Sequence, residues 1–496
     1  MDVKSIAIIG AGSAGLAAAK YLLAEKKFSR IVIYEQRAST GGVWNTSPLQ
    51  QEPGFSIPRA SPSSAHEYAV VERDPPRDGH GDDARVALVS PIYDDLETNI
   101  PHSLMRYTDL AFPAGTPLFP AHETVLAYLR RYGQDVEHLA SFATQVRDVR
   151  KTVTDDGTRR AWWRVEVQDI KSGAVSAERF DAVVVASGHY SDPFVPDVPG
   201  IAAFEAAHPG AIMHSKFYRR PAQFTGKKVL VVGNSASGID ISRQIATVAR
   251  LPVLISEKDT PGYDDDLPPA PTTTWSRHVG QVASFLLPAT RSVRFTSGHV
   301  ENNIDFVVFC TGYHYSFPFL PSLDPAVLAP DGTYADHLWE HMLYAPDPTL
   351  AFLAVPKRVV PFPLAEAQAA VIARLWAGRL HVPPEEEREA WVRRRRGESA
   401  PAGARHTLGY PQDAEYINRL HALSKEARPA CGLERDGAGK EPPFWDDETS
   451  WVRSQIFPIK LASRELGERR KECKTLADLG FDFHAAKENG TSTEST

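Results

Sequence analysis

One glycine pattern near the start of the chain constrains its fold more than any other feature. Ser5–Ile9 is a short apolar run, and Gly10-Ala11-Gly12-Ser13-Ala14-Gly15 follows it directly. Leu16–Ala24 carries Ala and Leu at helical frequency, and Ile31–Tyr34 is a second β-branched run. Strand, glycine turn, helix and strand form a βαβ start, the context in which G-x-G-x-x-G signals a dinucleotide site. The first glycine permits the tight turn, the second lets backbone approach a pyrophosphate, and the third lets helix and strand pack closely. The helix N-terminus offers free N–H groups and a partial positive charge to the phosphates. Glu35, 25 positions after Gly10, stands just past the second strand. Its carboxylate suits a ribose hydroxyl pair and repels a 2′-phosphate. Gly10, Gly12, Ser13, Gly15 and Glu35 are therefore expected to hold FAD or NAD rather than NADP.

A second unit of the same kind begins at Lys228. Val229–Val232 leads into Gly233-Asn234-Ser235-Ala236-Ser237-Gly238, Ile239–Val248 continues with helical spacing, and Val253–Ser256 reads as the next strand. Ser235 replaces the middle glycine, and its hydroxyl can donate to a phosphate. Ser256, Glu257 and Lys258 lie at the end of the next strand. Ser256 and Lys258 are expected to hold a 2′-phosphate with Arg219 and Arg220 assisting, whereas Glu257 argues the other way unless it points outward; the balance favours NADPH over NADH. Gly233, Ser235, Ser237 and Gly238 complete this second site. Two dinucleotide sites in one chain imply a resident redox cofactor and a second nucleotide that delivers hydride to it.

Composition narrows the partners. The 496 residues carry a net charge of −7, so an overall basic footprint for nucleic acid is absent. No stretch of about 18 apolar residues appears, so no membrane span is expected. The three cysteines, Cys310, Cys431 and Cys473, form no C-x-x-C pair. A zinc ribbon and a disulfide-reductase centre are thus unsupported, and a reducing, cytoplasmic setting is expected. The 17 histidines show no H-E-x-x-H spacing, and no metal site is expected.

Between the motifs the chain varies in character. Residues 46–91 lack periodicity and are rich in Pro, Ser, Gly and Asp, which reads as a surface insertion. A helix is expected at Glu123–Tyr132, with strands near Trp162–Val167, Ala182–Ala186 and Phe306–Phe309. Asp259–Thr274 reads as loop, Glu385–Arg396 as a solvated helix face, and 486–496 as a disordered tail.

Further segments carry a family resemblance. Gly41-Gly42-Val43-Trp44, Tyr93-Asp94-Asp95-Leu96-Glu97-Thr98-Asn99-Ile100-Pro101 and Pro361-Phe362-Pro363-Leu364-Ala365-Glu366-Ala367-Gln368 resemble segments of the flavin-containing monooxygenases, particularly their soluble microbial and fungal members. Ala186-Ser187-Gly188-His189 and Cys310-Thr311-Gly312-Tyr313 resemble the family's hinge segments. Gly210, His214 and Tyr218 match the family's F-x-G-x-x-x-H-x-x-x-(F/Y) motif, although His208 replaces its leading Phe, and Tyr218 stands where the Baeyer–Villiger group has Trp. The likeness spans roughly residues 5–425.

The resemblance implies an α/β fold with two Rossmann-like dinucleotide-binding domains, the NADPH domain inserted into the FAD domain. The expected boundaries are 1–190 for the first part of the FAD domain, 191–303 for the NADPH domain, and 304–485 for the returning FAD part with C-terminal helices. It also implies a cycle in which NADPH reduces FAD and reduced flavin forms a C4a-hydroperoxide with O2. A nucleophilic nitrogen or sulfur of a small molecule then attacks the distal oxygen. Asn99 is the expected catalytic residue beside the flavin. Gly42, Trp44 and Thr98 are expected at the cofactor, with Trp44 either packing on the flavin or belonging to the core. His214 and Tyr218 are expected to support the domain junction. Competing readings are an uncoupled NAD(P)H oxidase that releases peroxide, and a nucleotide-sensing flavoprotein without catalysis. A homodimer is compatible with the sequence. Substrate specificity is expected to lie in the insertion before residue 92 and in the loops near 259–304.

Overall fold

The computed structural model describes residues 2–73, 84–153, 161–258, 274–286, 288–397 and 402–491. Two parallel sheets organise it. The first has the order Leu338–Trp339, Leu343–Tyr344, Leu350–Phe352, Ala182–Val185, Ser5–Ile9, Arg30–Tyr34, Ala140–Ser141. From Leu350–Phe352 to Ala140–Ser141 every pairing is parallel, and the two strands beyond Leu350–Phe352 close the edge antiparallel. The central strands are continuous apolar runs because both faces are covered: helices pack on one, and the antiparallel sheet of Thr144–Val153, Ala161–Asp169 and Val175–Phe180 packs on the other. Helix Ser13–Ala24 packs against helix Pro361–Trp376, whose residues from Phe362 to Trp376 are all buried.

The second sheet has the order Ile212–His214, Phe306–Phe309, Val229–Val232, Val253–Ser256, Ser276–Val279, and all its strands run parallel. Helix Ala236–Ala246 follows the second glycine turn. The chain enters this unit through Asp192–Pro193 and leaves it through Tyr313–His314, and these two crossings pair as an antiparallel ribbon.

Several expectations are corrected. Phe306–Phe309, assigned from sequence to the returning 304–485 part, is a central strand of the second sheet. The return follows it, at the Thr311-Gly312 hinge. The 46–91 segment is irregular only in part, because Ala69–Arg73 and Ala84–Leu88 form an antiparallel pair. Short strands with mixed polarity gave that pairing no periodic signal. The stretch after 274 holds strands Ser276–Val279, Val282–Phe285 and Val293–Phe295 rather than loop alone, while residues 259–273 lie outside the described residues. Helix Glu385–Gly397 forms as expected, but it is not wholly solvated. Val392 is buried, and so is Arg388, whose Nε donates to the Ala345 carbonyl at 2.8 Å. Residues 486–491, expected to be disordered, continue helix Phe483–Thr491, and 492–496 lie outside the described residues. Helix Glu123–Tyr132 is observed as His122–Gly133.

Candidate active site

The two glycine turns repeat one set of close contacts. Gly10 has φ +105°, and a Cβ there would lie 2.6 Å from the Ala186 carbonyl oxygen. Gly233 has φ +103°, and its Cβ would lie 2.6 Å from the Cys310 carbonyl oxygen. Each turn is thus pressed against the end of a neighbouring strand, so only glycine fits. One helical turn later, a Cβ on Gly15 would sit 1.9 Å from the Gly10 oxygen, and one on Gly238 would sit 2.0 Å from the Gly233 oxygen. Helix and strand therefore touch through backbone, as the motif requires.

A continuous cleft of about 2940 Å³ joins the two turns. Of the sequence-predicted site residues, all line it except Gly15 and Gly238, which pack the helices behind it, and the expected assisting pair Arg219 and Arg220. At the first turn the cradle is narrow. Gly42, at φ +55°, approaches so closely that a Cβ would come within 2.9 Å of the Gly12 Cα. Trp44 is half-buried, packs against the first core and also faces the cleft. Both oxygens of Glu35 accept backbone N–H groups, from Ala11 at 2.6 Å and from Arg37 at 2.7 Å. The carboxyl is buried, and desolvation raises its pKa while the two N–H bonds oppose the rise. Each oxygen keeps a second lone pair for a ribose hydroxyl. The cradle therefore fits the adenosine and pyrophosphate of FAD.

Asn99 lines the same cleft. It is exposed to the cleft, whereas Thr98 beside it is buried and held. The Thr98 backbone N–H donates to the Pro120 carbonyl at 3.0 Å and its hydroxyl donates to the Ile100 carbonyl at 2.9 Å. The Lys460 ammonium donates to the Thr98 carbonyl at 2.8 Å. No local signal marks Lys460, which lies 362 residues away in a polar C-terminal stretch.

The second turn is open. Ser235 and Ser237 are exposed at the start of helix Ala236–Ala246 and line the cleft. Two expectations at its far end need correction. Ser256 is buried, and its hydroxyl donates to the Gly280 carbonyl at 3.0 Å, so its proton is not available to a phosphate. Arg219 and Arg220 do not line the cleft. Arg219 is buried and donates to the Ile92 and Leu49 carbonyls, both at 3.0 Å, and Arg220 pairs with Asp94 at 2.8 Å. Lys258 is exposed at the cleft, and so in half is Arg277, which sequence reading missed. Glu257 accepts from the Asn234 amide at 3.0 Å and pairs with His278 at 3.0 Å, which turns it from a lone repulsive charge into part of the turn's scaffold.

His214 and Tyr218 brace the junction. His214 Nε2 donates to the hinge carbonyl of Gly312 at 2.9 Å, and its Nδ1 accepts the Lys216 backbone N–H at 3.1 Å. That pattern fixes the neutral tautomer, and burial lowers its pKa to about 3. The Tyr218 hydroxyl donates to Gln244 at 2.9 Å. Among the described residues no group of His, Cys, Asp and Glu could hold a metal ion, and no helix is long and apolar enough to cross a membrane.

Two Rossmann units that share one cleft, one closed and one open, define a flavoprotein oxidoreductase served by a nicotinamide coenzyme. The sequence matches the flavin-binding monooxygenase-like family over residues 80–262 and 258–430, and an NAD(P)-binding Rossmann-like domain over residues 8–68. The chain belongs to the flavin-binding monooxygenase family, and it is a flavin-dependent monooxygenase with FAD and NADPH as cofactors. It is 32% identical to flavin-containing monooxygenase FMO GS-OX-like 2 of Arabidopsis thaliana over 433 residues, 84% of each chain. It is 30% identical to the thiol-specific monooxygenase of Saccharomyces cerevisiae over 476 residues, 92% of this chain and 93% of the yeast protein. Among solved structures, S-allyl-L-cysteine S-oxygenase from Allium sativum superposes with a TM-score of 0.71 at 27% identity and full coverage of both chains.

Proposed function

We propose that this enzyme transfers one oxygen atom of O2 to a nucleophilic sulfur or nitrogen of a small molecule, with NADPH as reductant. Bound FAD supplies the oxygen-activating chemistry, and the protein supplies position and exclusion of water. The first turn, Gly42 and Glu35 hold the resident flavin nucleotide. The N-terminus of helix Ala236–Ala246, with Ser235 and Ser237, takes the coenzyme pyrophosphate, and Lys258 with Arg277 faces its 2′-phosphate. The observation that carries the reading is Asn99, an uncharged amide exposed in the cleft that both nucleotide turns line, next to a Thr98 held by three hydrogen bonds. An amide donates a hydrogen bond without offering a nucleophile of its own to the oxidant. The relatives act on sulfur by their names, the thiol-specific monooxygenase of yeast and the S-oxygenase of garlic, and they support a sulfur substrate first.

Asn99→Ala tests this. FAD content and flavin reduction by NADPH should survive, because the glycine turns are untouched. Oxygenation of a thioether such as thioanisole should fall by about 10²–10³, the cost of one preorganised donor, and peroxide released per NADPH should rise. A wild-type protein that yields only peroxide with every thiol, thioether and amine offered would establish the oxidase instead. A variant that oxygenates at the wild-type rate would remove Asn99 from the chemistry.

A further inference from the structure

The family match ends at residue 430, yet the chain beyond it reaches back into the site. Helix Ile456–Glu465 lines the cleft with Ile456, Phe457, Lys460 and Arg464. Arg470, in the following turn Gly467–Glu472, grips both oxygens of Glu97 at 2.9 Å. The Cys473 carbonyl accepts the Leu118 backbone N–H at 2.8 Å. Arg464 lies 3.4 Å from Asp240, on the helix that starts at the second glycine turn. The C-terminal segment therefore touches the Glu97–Asn99 strip and the coenzyme unit together.

We propose that Lys460 is a positioning residue for oxygenation, anchoring the Thr98 carbonyl and so setting where the Asn99 amide sits in the cleft. The Thr98 carbonyl and the Asn99 nitrogen belong to one rigid peptide plane. The bonds to Pro120 and Ile100 fix the chain on either side of that plane but leave the plane free to tilt. Lys460 removes that tilt. Its Nζ is buried, donates to the Thr98 oxygen at 2.8 Å, lies 4.2 Å over the Phe119 ring and stands 4.0 Å from Glu97. A buried ammonium is costly unless it is paired and hydrogen-bonded, and the Thr98 carbonyl with Glu97 supplies those partners one residue before the Asn99 that the cleft exposes.

The charge state of Lys460 should then be visible in the chemistry. Burial, with Arg464 and Arg470 adding to it and Glu97 and Asp240 opposing it, brings the ammonium down to about 8. Below that pH the bond to Thr98 is charge-assisted. Above it the proton is lost and the bond weakens to a neutral one.

The inference rests on the role proposed for Asn99, and its test separates the two. Lys460→Met, Lys460→Arg and Asn99→Ala are compared with wild type for sulfoxide formed against peroxide released, using thioanisole, NADPH and air from pH 6.5 to 9.5. FAD content, melting temperature and the rate of flavin reduction are followed alongside. Wild type should lose coupling as pH rises through about 8. Lys460→Met should show about tenfold less product per peroxide already at pH 7, the size of one lost charge-assisted bond, with little pH dependence and flavin reduction intact. Lys460→Arg, which keeps its charge throughout this range, should stay coupled above pH 8. A Lys460→Met protein with wild-type coupling, or one that keeps the wild-type pH profile, overturns the proposal while leaving Asn99 in place if Asn99→Ala uncouples. If Asn99→Ala leaves coupling unchanged, the reading on which the inference rests is the one that fails.

Discussion

The two glycine turns share a backbone and differ in what surrounds it. Gly12 and Ser235 occupy the same helix-capping position with nearly the same dihedrals, φ −76° and ψ −173° against φ −94° and ψ −165°. Neither conformation needs glycine, so the backbone alone does not explain why one turn has Gly and the other Ser. The surroundings do. Gly42 closes over Gly12 in the first unit, whereas Ser235 stands exposed in the second. The acidic residues past the second strands differ in the same sense. Glu35 is buried with both oxygens engaged, while the Glu257 side chain is 43% exposed and held by Asn234 and His278. A closed cradle suits a nucleotide that stays through many turnovers, and an open one suits a nucleotide that must enter and leave. The glycine motif thus reports where a dinucleotide binds, and the residues packed around it report how long it stays.

The comparison is broken most directly at the shared contacts. Helix propensity predicts that Gly15→Ala and Gly238→Ala each stabilise by about 1 kcal/mol. The structure predicts the opposite. The added methyl would lie 1.9 or 2.0 Å from a backbone oxygen, and that overlap, between groups that cannot rotate away, costs about 3 kcal/mol or more. Both variants should melt lower than wild type and lose soluble yield. An alanine variant that melts higher at either turn would show that the helix–strand contact is looser than drawn.

A smaller effect is expected at Gly12, and it is confined to the ligand. A Cβ there meets only Gly42 backbone, its Cα at 3.6 Å and its N at 4.0 Å, both ordinary contacts. Gly12→Ala should leave the melting temperature of the apoprotein unchanged and weaken FAD binding, by about 5- to 150-fold if 1–3 kcal/mol of close contact is lost. Titration of apoprotein with FAD measures it. Equal affinity would mean that the pyrophosphate does not lie against this turn.

How much of this was legible in the sequence follows from range. The turns, their strands and helices and Glu35 are read from residues within about thirty positions of one another, where the steric demands are local. Asn99 gives no such signal and is reached only through the resemblance of the segment around it. Lys460 and Arg470 gave none at all, because a lysine in a polar segment carries no mark of a partner more than 360 positions away. The same limit hid the Asp192–Pro193 and Tyr313–His314 ribbon, whose halves are 121 positions apart. Ser256 misled for a different reason. Its position at the strand end was right, but only the folded chain shows that the Gly280 carbonyl takes the hydroxyl proton. Phe306–Phe309 has the composition of a buried strand, and composition does not say which of two parallel sheets will receive it.

The smallest expected effect concerns the open turn and its coenzyme. With the Ser256 hydroxyl engaged and Arg219 and Arg220 turned elsewhere, the proposed discrimination between NADPH and NADH rests on Lys258 and Arg277. The two are not equivalent. Arg277 is ion-paired with Glu301, which also pairs with Lys228, so much of its charge is already countered. Lys258 is therefore the cleaner probe. It is exposed at the cleft, and an exposed charge contributes only about 0.2–1 kcal/mol to a pair. Lys258→Ala should accordingly raise the NADPH concentration needed for half-maximal flavin reduction by about fivefold at most. NADH, which lacks the 2′-phosphate, should be unaffected, and the NADPH penalty should shrink as salt screens the contact. Anaerobic flavin bleaching with each coenzyme at two ionic strengths measures all three. A penalty that is the same for NADH, or that does not respond to salt, would place Lys258 away from the 2′-phosphate and leave Arg277 as the discriminating cation.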